Sequence, residues 1–351
     1  MISVSAPGKV IISGEHSVVW GEPAFLAAIN KRCWVKVKKI NEKKIKIVDE
    51  ILKVRAEVDS SKILDFAEQR KKSWQKSVET GGKEYFGAIK REALGLVKIG
   101  IGETLMSLKK SEGEFELRIK NEIPIGVGLG SSAALSVSLV AGLWEFFNNK
   151  QKKQQLSLIN KIAYEIEKRQ HGNPSGGDNT ICTYGGFLVF KKKDQRITKK
   201  KLKMMDRLPE LLLVDTGKPV ETTGEMVSAV RQKYRISNIK YQKIFKKIGK
   251  VTNMLIDSFK QSDFRELKFL IRTNEQLLEE LGVVGERAKK IIRLIERSGG
   301  AAKICGAGGL KKGSGMALVY HGDLSVLKRN LKKNKIDFLK VKLGEKGVTI
   351  H

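Results

Sequence analysis

The feature that most restricts the fold of this chain is a glycine-rich turn at residues 124–134, which reads Pro-Ile-Gly-Val-Gly-Leu-Gly-Ser-Ser-Ala-Ala. Its glycines, Gly126, Gly128 and Gly130, permit backbone conformations and close contacts that a side chain would block. Before the turn, Glu114–Lys120 alternates apolar and charged residues, which is typical of a half-buried strand. The chain is therefore expected to leave a strand through a tight turn shaped by glycine.

An apolar segment follows the turn and predicts a helix from Ser132 to about Phe147. The first amides of a helix have no partners within it, and the helix dipole adds to their attraction for an anion. The stretch Gly126–Ser132 therefore predicts a phosphate-binding loop, with a serine-capped turn that binds no ligand as the alternative. Neither a Walker A loop nor the dinucleotide-binding glycine pattern is present, so a nucleotide would bind here in another fold.

Two acids and a lysine outside the turn have the properties expected of a phosphoryl-transfer site. Glu167 falls near the apolar face of a helix predicted at 156–170, where a carboxylate is costly unless Mg2+ or a lysine compensates it. Asp178 lies in a predicted loop of glycine, asparagine and proline, where it would accept a hydroxyl proton or simply cap a turn. Lys9 follows the first strand and would neutralise a transferring phosphoryl group.

Chain length and the order of the predicted elements indicate the architecture. A length of 351 residues suggests two domains, and a polar, basic linker predicted at about 191–204 places their boundary near residue 205. Strands and helices are interspersed without a regular βαβ repeat, which favours an α+β protein with two lobes. The N-terminus lacks a signal-peptide pattern, and the longest apolar stretch is shorter than the ~20 residues of a membrane span. A cytoplasmic protein is therefore expected.

The chain carries a large positive charge, with 68 Lys and Arg against 38 Asp and Glu and a formal net charge of +30 at pH 7. A field of this size attracts nucleic acids, acidic membranes or phosphorylated metabolites. The lysines are spread along the whole chain, and no zinc finger, RNA-recognition signature or basic heptad repeat is present. A solvated lysine-rich surface is therefore favoured over a specific anionic macromolecule, with RNA or membrane-surface binding kept as the alternative class of function.

Five segments follow the order that they have in the GHMP small-molecule kinases: APGKV at 6–10, GEH at 14–16, PIGVGLGSSAA at 124–134, HGNPSGGDN at 171–179 and GAGG at 306–309. The chain resembles this superfamily from its N-terminus to about residue 320. The GEH and HGNPSGGDN segments are similar to those of the members that phosphorylate mevalonate. The resemblance implies an N-terminal lobe like domain 2 of ribosomal protein S5 at 1–205, a ferredoxin-like C-terminal lobe at 206–351, and an active site between them.

The same resemblance implies roles for particular residues. Asp178 would take the proton of the substrate hydroxyl with Lys9 paired to it, and Ser132 and Glu167 would hold Mg2+. The positions that match the ATP-phosphate loop are Gly126, Val127, Gly128, Leu129, Gly130, Ser131 and Ser132. The positions that match the substrate side are Glu15, His16, Thr222, Thr223, Gly306 and Ala307, and one of the two threonines corresponds to the family's pocket threonine.

The activity implied by the resemblance is ATP- and Mg2+-dependent, direct in-line phosphorylation of mevalonate to 5-phosphomevalonate in isoprenoid synthesis, without a phosphoenzyme. The implied partners are mevalonate and ATP, with no specific nucleic acid, no membrane span and a homodimer as one assembly to test. A related kinase that acts on phosphomevalonate or another small hydroxylated metabolite is the nearest alternative. The other-class alternative is a basic RNA- or membrane-surface-binding protein built on a kinase scaffold.

Two positions leave the resemblance open to alternatives. After GAGG the family continues with glycine, whereas this chain continues with Leu310, Lys311 and Lys312. One of these lysines would contact a phosphate, or the segment is a solvated turn. Added lysines would also mark a kinase whose acceptor already carries a phosphate. Trp74 is either a stacking residue for adenine or a core tryptophan.

Overall fold

The structure, a computed structural model, describes residues 1–80, 92–148, 155–172, 174–193, 196–203 and 207–351. These residues form two β-sheets with helices packed against them, which confirms the α+β prediction. Within the described parts of the chain, no helix has the length and apolar character needed to cross a bilayer. The boundary predicted near residue 205 lies outside the described residues, and the division at that point stays a prediction.

The first sheet contains eight strands in the described residues: β1 (Ile2–Ser13), β2 (Ala24–Lys39), β3 (Ile45–Asp49), β4 (Val54–Val58), β5 (Phe115–Asn121), β6 (Phe187–Lys193), β7 (Arg196–Leu202) and β12 (Thr349–Ile350). Its main path runs β12-β1-β2-β5-β3-β4, and β6 pairs with both β2 and β7. Only the β3–β5 pair is parallel among these described pairings. The alternating pattern that predicted a strand at 114–120 is therefore confirmed by β5.

Five described helices lie between the strands of the first sheet in chain order: α1 (Ser60–Thr80) and α2 (Gly95–Ser107) come before β5, and α3 (Ser131–Asn148), α4 (Gln155–His171) and α5 (Gly177–Tyr184) come before β6. The stretch Ala133–Leu143 of α3 is buried almost throughout, because α3 packs against β1, β2 and the neighbouring helices. A helix that is apolar on nearly all sides belongs at the centre of a fold. This central position brings the first turn of α3 to the end of β5 and beside β1.

The second sheet has four strands in the described residues: β8 (Leu211–Asp215), β9 (Ala301–Ile304), β10 (Met316–Tyr320) and β11 (Phe338–Val341). They are antiparallel in the order β11-β8-β10-β9. The helices of this part are α6 (Thr223–Ile236), α7 (Asn238–Gln261), α8 (Leu267–Leu281), α9 (Glu286–Arg297) and α10 (Leu324–Lys333). A described buried apolar core runs from one sheet to the other.

Three details of the sequence interpretation are wrong. Lys9 does not follow the first strand but lies within β1, where it pairs with Ala28. The segment at 191–204 is not a linker, since β6 extends to Lys193 and β7 pairs with it in a hairpin. Lys199, Lys200 and Lys201 are exposed on β7, which pairs only with β6 among the described strands. Charge on such an edge strand opposes pairing with other chains, and this run of lysines conceals the strand pattern. Asp178 does not lie in a loop but in the first turn of α5.

Candidate active site

The phosphate-loop candidate is a set of left-handed glycines that connects β5 to α3. Gly126, Gly128 and Gly130 have φ values of 78°, 88° and 74°. A Cβ at Gly128 would lie 2.4 Å from the carbonyl oxygen of Cys305. Because both the backbone conformation and the contact exclude a side chain, glycine is required at this position.

Strands of both sheets hold this loop in place. The Lys9 amide on β1 donates to the Leu129 carbonyl oxygen at 2.9 Å, and the Met316 amide on β10 donates to the Val127 carbonyl oxygen at 3.1 Å. The hydroxyl of Ser131 accepts from the Asn121 side-chain amide at 2.8 Å. The loop is therefore fixed between β1 and β10 at the N-terminus of α3, where amides favour an anion.

Lys9 and Asp178 form an ion pair beside the loop. Lys9 Nζ lies 3.2 Å from Asp178 Oδ2, and the two side chains are 3% and 38% exposed. A Cβ at Gly130 would lie 2.8 Å from Lys9 Cγ, so the lysine stem runs across the last glycine of the loop. The pair thus offers a partly open carboxylate, held by a buried ammonium, next to a site for phosphate.

Glu167 lies inside the protein, close to the first residues of α3. Its carboxylate accepts hydrogen bonds from the hydroxyls of Ser132 and Ser136, both at 3.4 Å. His171 Nε2 lies 3.1 Å from Ser132 Oγ and 3.6 Å from Glu167 Oε2. Burial, with the charge of Asp178 as the next contribution, raises the pKa of Glu167 to about 8. A buried carboxylate with long hydrogen bonds lacks compensation that a divalent cation would supply, and hydroxyl and carboxylate oxygens suit Mg2+.

Two of the substrate-side candidates, His16 and Ala307, are joined by a hydrogen bond. His16 Nε2 donates to the Ala307 carbonyl oxygen at 3.0 Å, which joins the turn after β1 to the Gly306–Ala307 turn after β9. Burial lowers the pKa of His16 to about 4, so the imidazole is neutral at pH 7. Its Nδ1 atom has no hydrogen-bond partner in the described residues. The His16 ring is therefore fixed at one nitrogen and has an unused polar atom at the other.

The two threonine candidates differ in what their side chains do. Thr222 caps α6: its hydroxyl accepts from the Glu225 amide at 3.1 Å, within a capping box with the Glu225 carboxylate. Thr223 begins the helix and is exposed. The choice between these threonines for the substrate pocket stays a prediction.

Sequence reasoning missed a buried charge cluster behind the GEH turn. Lys303 on β9 pairs with Glu15 and donates to the carbonyl oxygens of Ile11 and Ile304 at 3.2 and 2.8 Å. The carboxyl group of Glu275 on α8 accepts from the Ile304 amide at 2.9 Å. The available signal was a lysine inside an otherwise apolar strand, directly before GAGG. Lys303 thereby fixes Glu15, which directly precedes His16 in the turn after β1.

The residues that depart from the family pattern lie on the surface. The amides of Leu310 and Lys311 donate to the Glu221 carboxylate at 3.4 and 3.3 Å, and Leu310, Lys311 and Lys312 are exposed. The Trp74 indole donates to the Gly172 carbonyl oxygen at 2.8 Å, and the Arg169 guanidinium lies 4.5 Å from the Trp74 ring centroid. An adenine-stacking role for Trp74 stays a prediction.

Known proteins resemble this chain in both sequence and structure. The family model "GHMP kinases N terminal domain" matches residues 95–186. The mevalonate kinase of Pyrococcus furiosus is 30% identical over 314 residues, which cover 88% of this chain and 86% of that protein. The human mevalonate kinase is 28% identical over 100% of this chain and 95% of its own length. The crystal structure of the Methanococcus jannaschii mevalonate kinase superposes with a TM-score of 0.76 at 25% identity and covers 98% of both chains.

A glycine loop at a helix N-terminus, a lysine–aspartate pair beside it and the family match over α2 to α5 define a class of protein. The chain is a GHMP kinase, and this class uses ATP as the phosphoryl donor. Because its relatives over most of its length are mevalonate kinases, it belongs to the mevalonate kinase family within that class.

Proposed function

We propose that this protein transfers the γ-phosphoryl group of ATP to the primary hydroxyl of mevalonate and releases 5-phosphomevalonate and ADP. The observation that carries the proposal is the Lys9–Asp178 pair, 3.2 Å apart, beside the phosphate loop. The relatives that match most of this chain are mevalonate kinases. The reaction belongs to isoprenoid synthesis, and we place the protein in the cytoplasm.

In the proposed reaction Asp178 accepts the proton of the mevalonate hydroxyl while the oxygen forms a bond to the γ-phosphorus. The bond between that phosphorus and the bridging oxygen of ADP breaks in the same step, so no phosphoenzyme forms. Lys9 holds the Asp178 carboxylate at 3.2 Å and adds positive charge beside the transferring group. Phosphoryl transfer depends mainly on positioning and charge stabilisation, and the Lys9–Asp178 pair supplies both.

The phosphate loop and the substrate-side turn orient the two reactants. Amides of Gly126–Ser132 would hold the ATP phosphates at the N-terminus of α3. Ser132 and Glu167 would hold Mg2+, which when bound neutralises charge on the phosphates. Because the neutral His16 ring carries its proton at Nε2, where it donates to Ala307, its Nδ1 is an acceptor, and we assign it to mevalonate together with the neighbouring Gly306–Ala307 turn.

The test is ATP-dependent release of ADP with mevalonate, phosphomevalonate, homoserine or galactose as acceptor, with the product identified by phosphorus NMR. Turnover with mevalonate alone, giving a 5-phosphomonoester, is the expected result. Turnover with phosphomevalonate would leave the proposed chemistry in place and would indicate that the cationic segment at 310–312 contributes to the choice of acceptor. No turnover with any acceptor would overturn the proposal. Size-exclusion chromatography with light scattering would decide whether the protein is a homodimer.

A further inference from the structure

Lys218, in the segment after β8, lies against the phosphate loop at Gly126, which is the end away from the Lys9–Asp178 pair. A Cβ built at Gly126 would lie 2.7 Å from Lys218 Cε and 3.3 Å from Lys218 Nζ. Gly126 has a left-handed φ of 78°, so it presents its backbone with no side chain toward this lysine. The Lys218 ammonium therefore lies close to the loop backbone.

The position of Lys218 relative to the loop is set by two consecutive residues at the start of β10. The Gly315 amide donates to the Gly217 carbonyl oxygen at 2.9 Å, and the Met316 amide donates to the Val127 carbonyl oxygen at 3.1 Å. Gly217 and Val127 are the chain neighbours of Lys218 and Gly126. One short segment thus holds both backbones in register, and the approach of Lys218 to Gly126 follows from it.

The charges around Lys218 leave its ammonium available. Among the described residues, Lys218 forms no ion pair, whereas Lys9 at the other end of the loop is paired with Asp178. The nearest acids in its own segment are occupied by backbone amides. Asp215 accepts from the Gly217 amide at 2.7 Å, and Glu221 accepts from the amides of the 310–311 turn.

We propose that Lys218 binds a phosphate of the nucleotide that is not transferred, and so contributes to affinity for ADP as much as for ATP. The inference rests on the proposed function, because it takes the 126–132 loop as the nucleotide-phosphate site. Lys9 and Asp178 occupy the end of the loop where transfer takes place, at Gly130. Lys218 is at the opposite end, at Gly126, where its charge meets the remaining phosphates and completes a loop that otherwise offers mainly neutral amides.

The experiment measures Kd for ADP and ATP by isothermal titration calorimetry, with MgCl2 present and no acceptor, on the wild-type protein and three variants. Lys218→Gln removes the charge, Lys218→Arg keeps it, and Lys247→Gln removes an equal charge from an exposed position on α7. Loss of a hydrogen bond to a charged group predicts a rise of about tenfold in Kd for both nucleotides in Lys218→Gln. Lys218→Arg should stay near the wild type, and Lys247→Gln should match it.

Each other outcome identifies what failed. If the wild-type protein binds neither nucleotide, the proposed function and the inference about Lys218 are both overturned. If the wild type binds both and Lys218→Gln binds like Lys247→Gln, the inference about Lys218 is overturned and the proposed function is untouched. A change confined to ATP, or to KM for the acceptor in steady-state assays, would place Lys218 at the transferred group or at the acceptor and would also overturn it. Circular dichroism confirms that the variants are folded.

Discussion

Two carboxylates near the phosphate loop differ in their surroundings, and the difference separates their roles. The Asp178 side chain is 38% exposed and lies beside a buried ammonium, so it is open to an incoming hydroxyl. Glu167 is buried and receives only long hydrogen bonds from the hydroxyls of Ser132 and Ser136, so a bound cation would compensate its charge. The base and the metal ligand are thus assigned by environment rather than by residue type.

The assignment of the base predicts the effect of Asp178→Asn. The amide keeps the shape of the side chain and cannot accept the proton, so kcat should fall by about 10²–10⁴-fold. The Kd for ADP should change little, because the loop amides are untouched. Asp257→Asn, which breaks an exposed ion pair with Lys260 on α7, is the matched control and should retain wild-type kinetics. Substantial activity in Asp178→Asn would show that another group takes the proton.

At the scale of the elements, the backbone of the loop can be tested with two glycine substitutions. Gly128→Ala places a Cβ 2.4 Å from the Cys305 carbonyl oxygen and holds alanine in the left-handed region, which alone costs about 1–2 kcal/mol. Gly224→Ala is the control, because in α6 the Cβ meets no atom closer than 3.6 Å. Thermal unfolding and ADP binding should show a lower Tm and weaker binding for Gly128→Ala only. Equal behaviour of the two variants would contradict the description of the loop.

The elements also show which parts of the structure the sequence could predict. Local patterns were sufficient for β5, the glycine turn and α3, because their periodicity and turn residues lie within a short segment. α5 was missed because glycine and proline dominate the residues before it, and its eight residues contain little apolar periodicity. The Lys303–Glu15 pair was missed because its residues are 288 positions apart, and no local pattern reports such a contact.

The buried acid on α8 predicts a pH dependence of stability. Burial raises the pKa of Glu275 from 4.5 to about 8, so between these values the folded protein keeps a proton that the unfolded chain has released. The free energy of unfolding should therefore fall as the pH rises from 5 to 8. Glu275→Gln still accepts from the Ile304 amide and should reduce this fall by about 3 to 4 kcal/mol. Denaturant unfolding at several pH values measures this change in the free energy of unfolding.

Glu280→Gln, at an exposed position on the same helix, is the control for this pH dependence. The quantity to compare is the slope of the free energy of unfolding against pH, taken as the difference between each variant and the wild-type protein. This difference removes the contribution of other buried groups, which titrate in the variants and in the wild type alike. A Glu275→Gln slope equal to that of Glu280→Gln would mean that Glu275 is not protonated in the folded protein.

At the scale of the whole molecule, the C-terminus returns to the first sheet. β12 pairs with β1, and the Arg32 guanidinium donates to the Lys346 and Gly347 carbonyl oxygens at 2.9 and 2.7 Å. The Gly186 amide donates to Glu345, which attaches the segment near the end of α5, the helix that carries Asp178. The last residues of the predicted C-terminal lobe therefore support the part of the molecule that contains the catalytic candidate.

This return predicts that removal of residues 344–351 damages the first sheet and the site together. The deletion breaks several backbone hydrogen bonds to β1, β2 and the end of α5, and at about 1 kcal/mol for each bond the loss should be on the order of 4 kcal/mol. Arg32→Met, which removes only the side-chain contacts, should cost less. Denaturant unfolding and kcat measured on both proteins separate the two effects. If the deletion left stability and kcat unchanged, the C-terminal segment would not support α5, and Asp178 would be positioned by Lys9 and the helices alone.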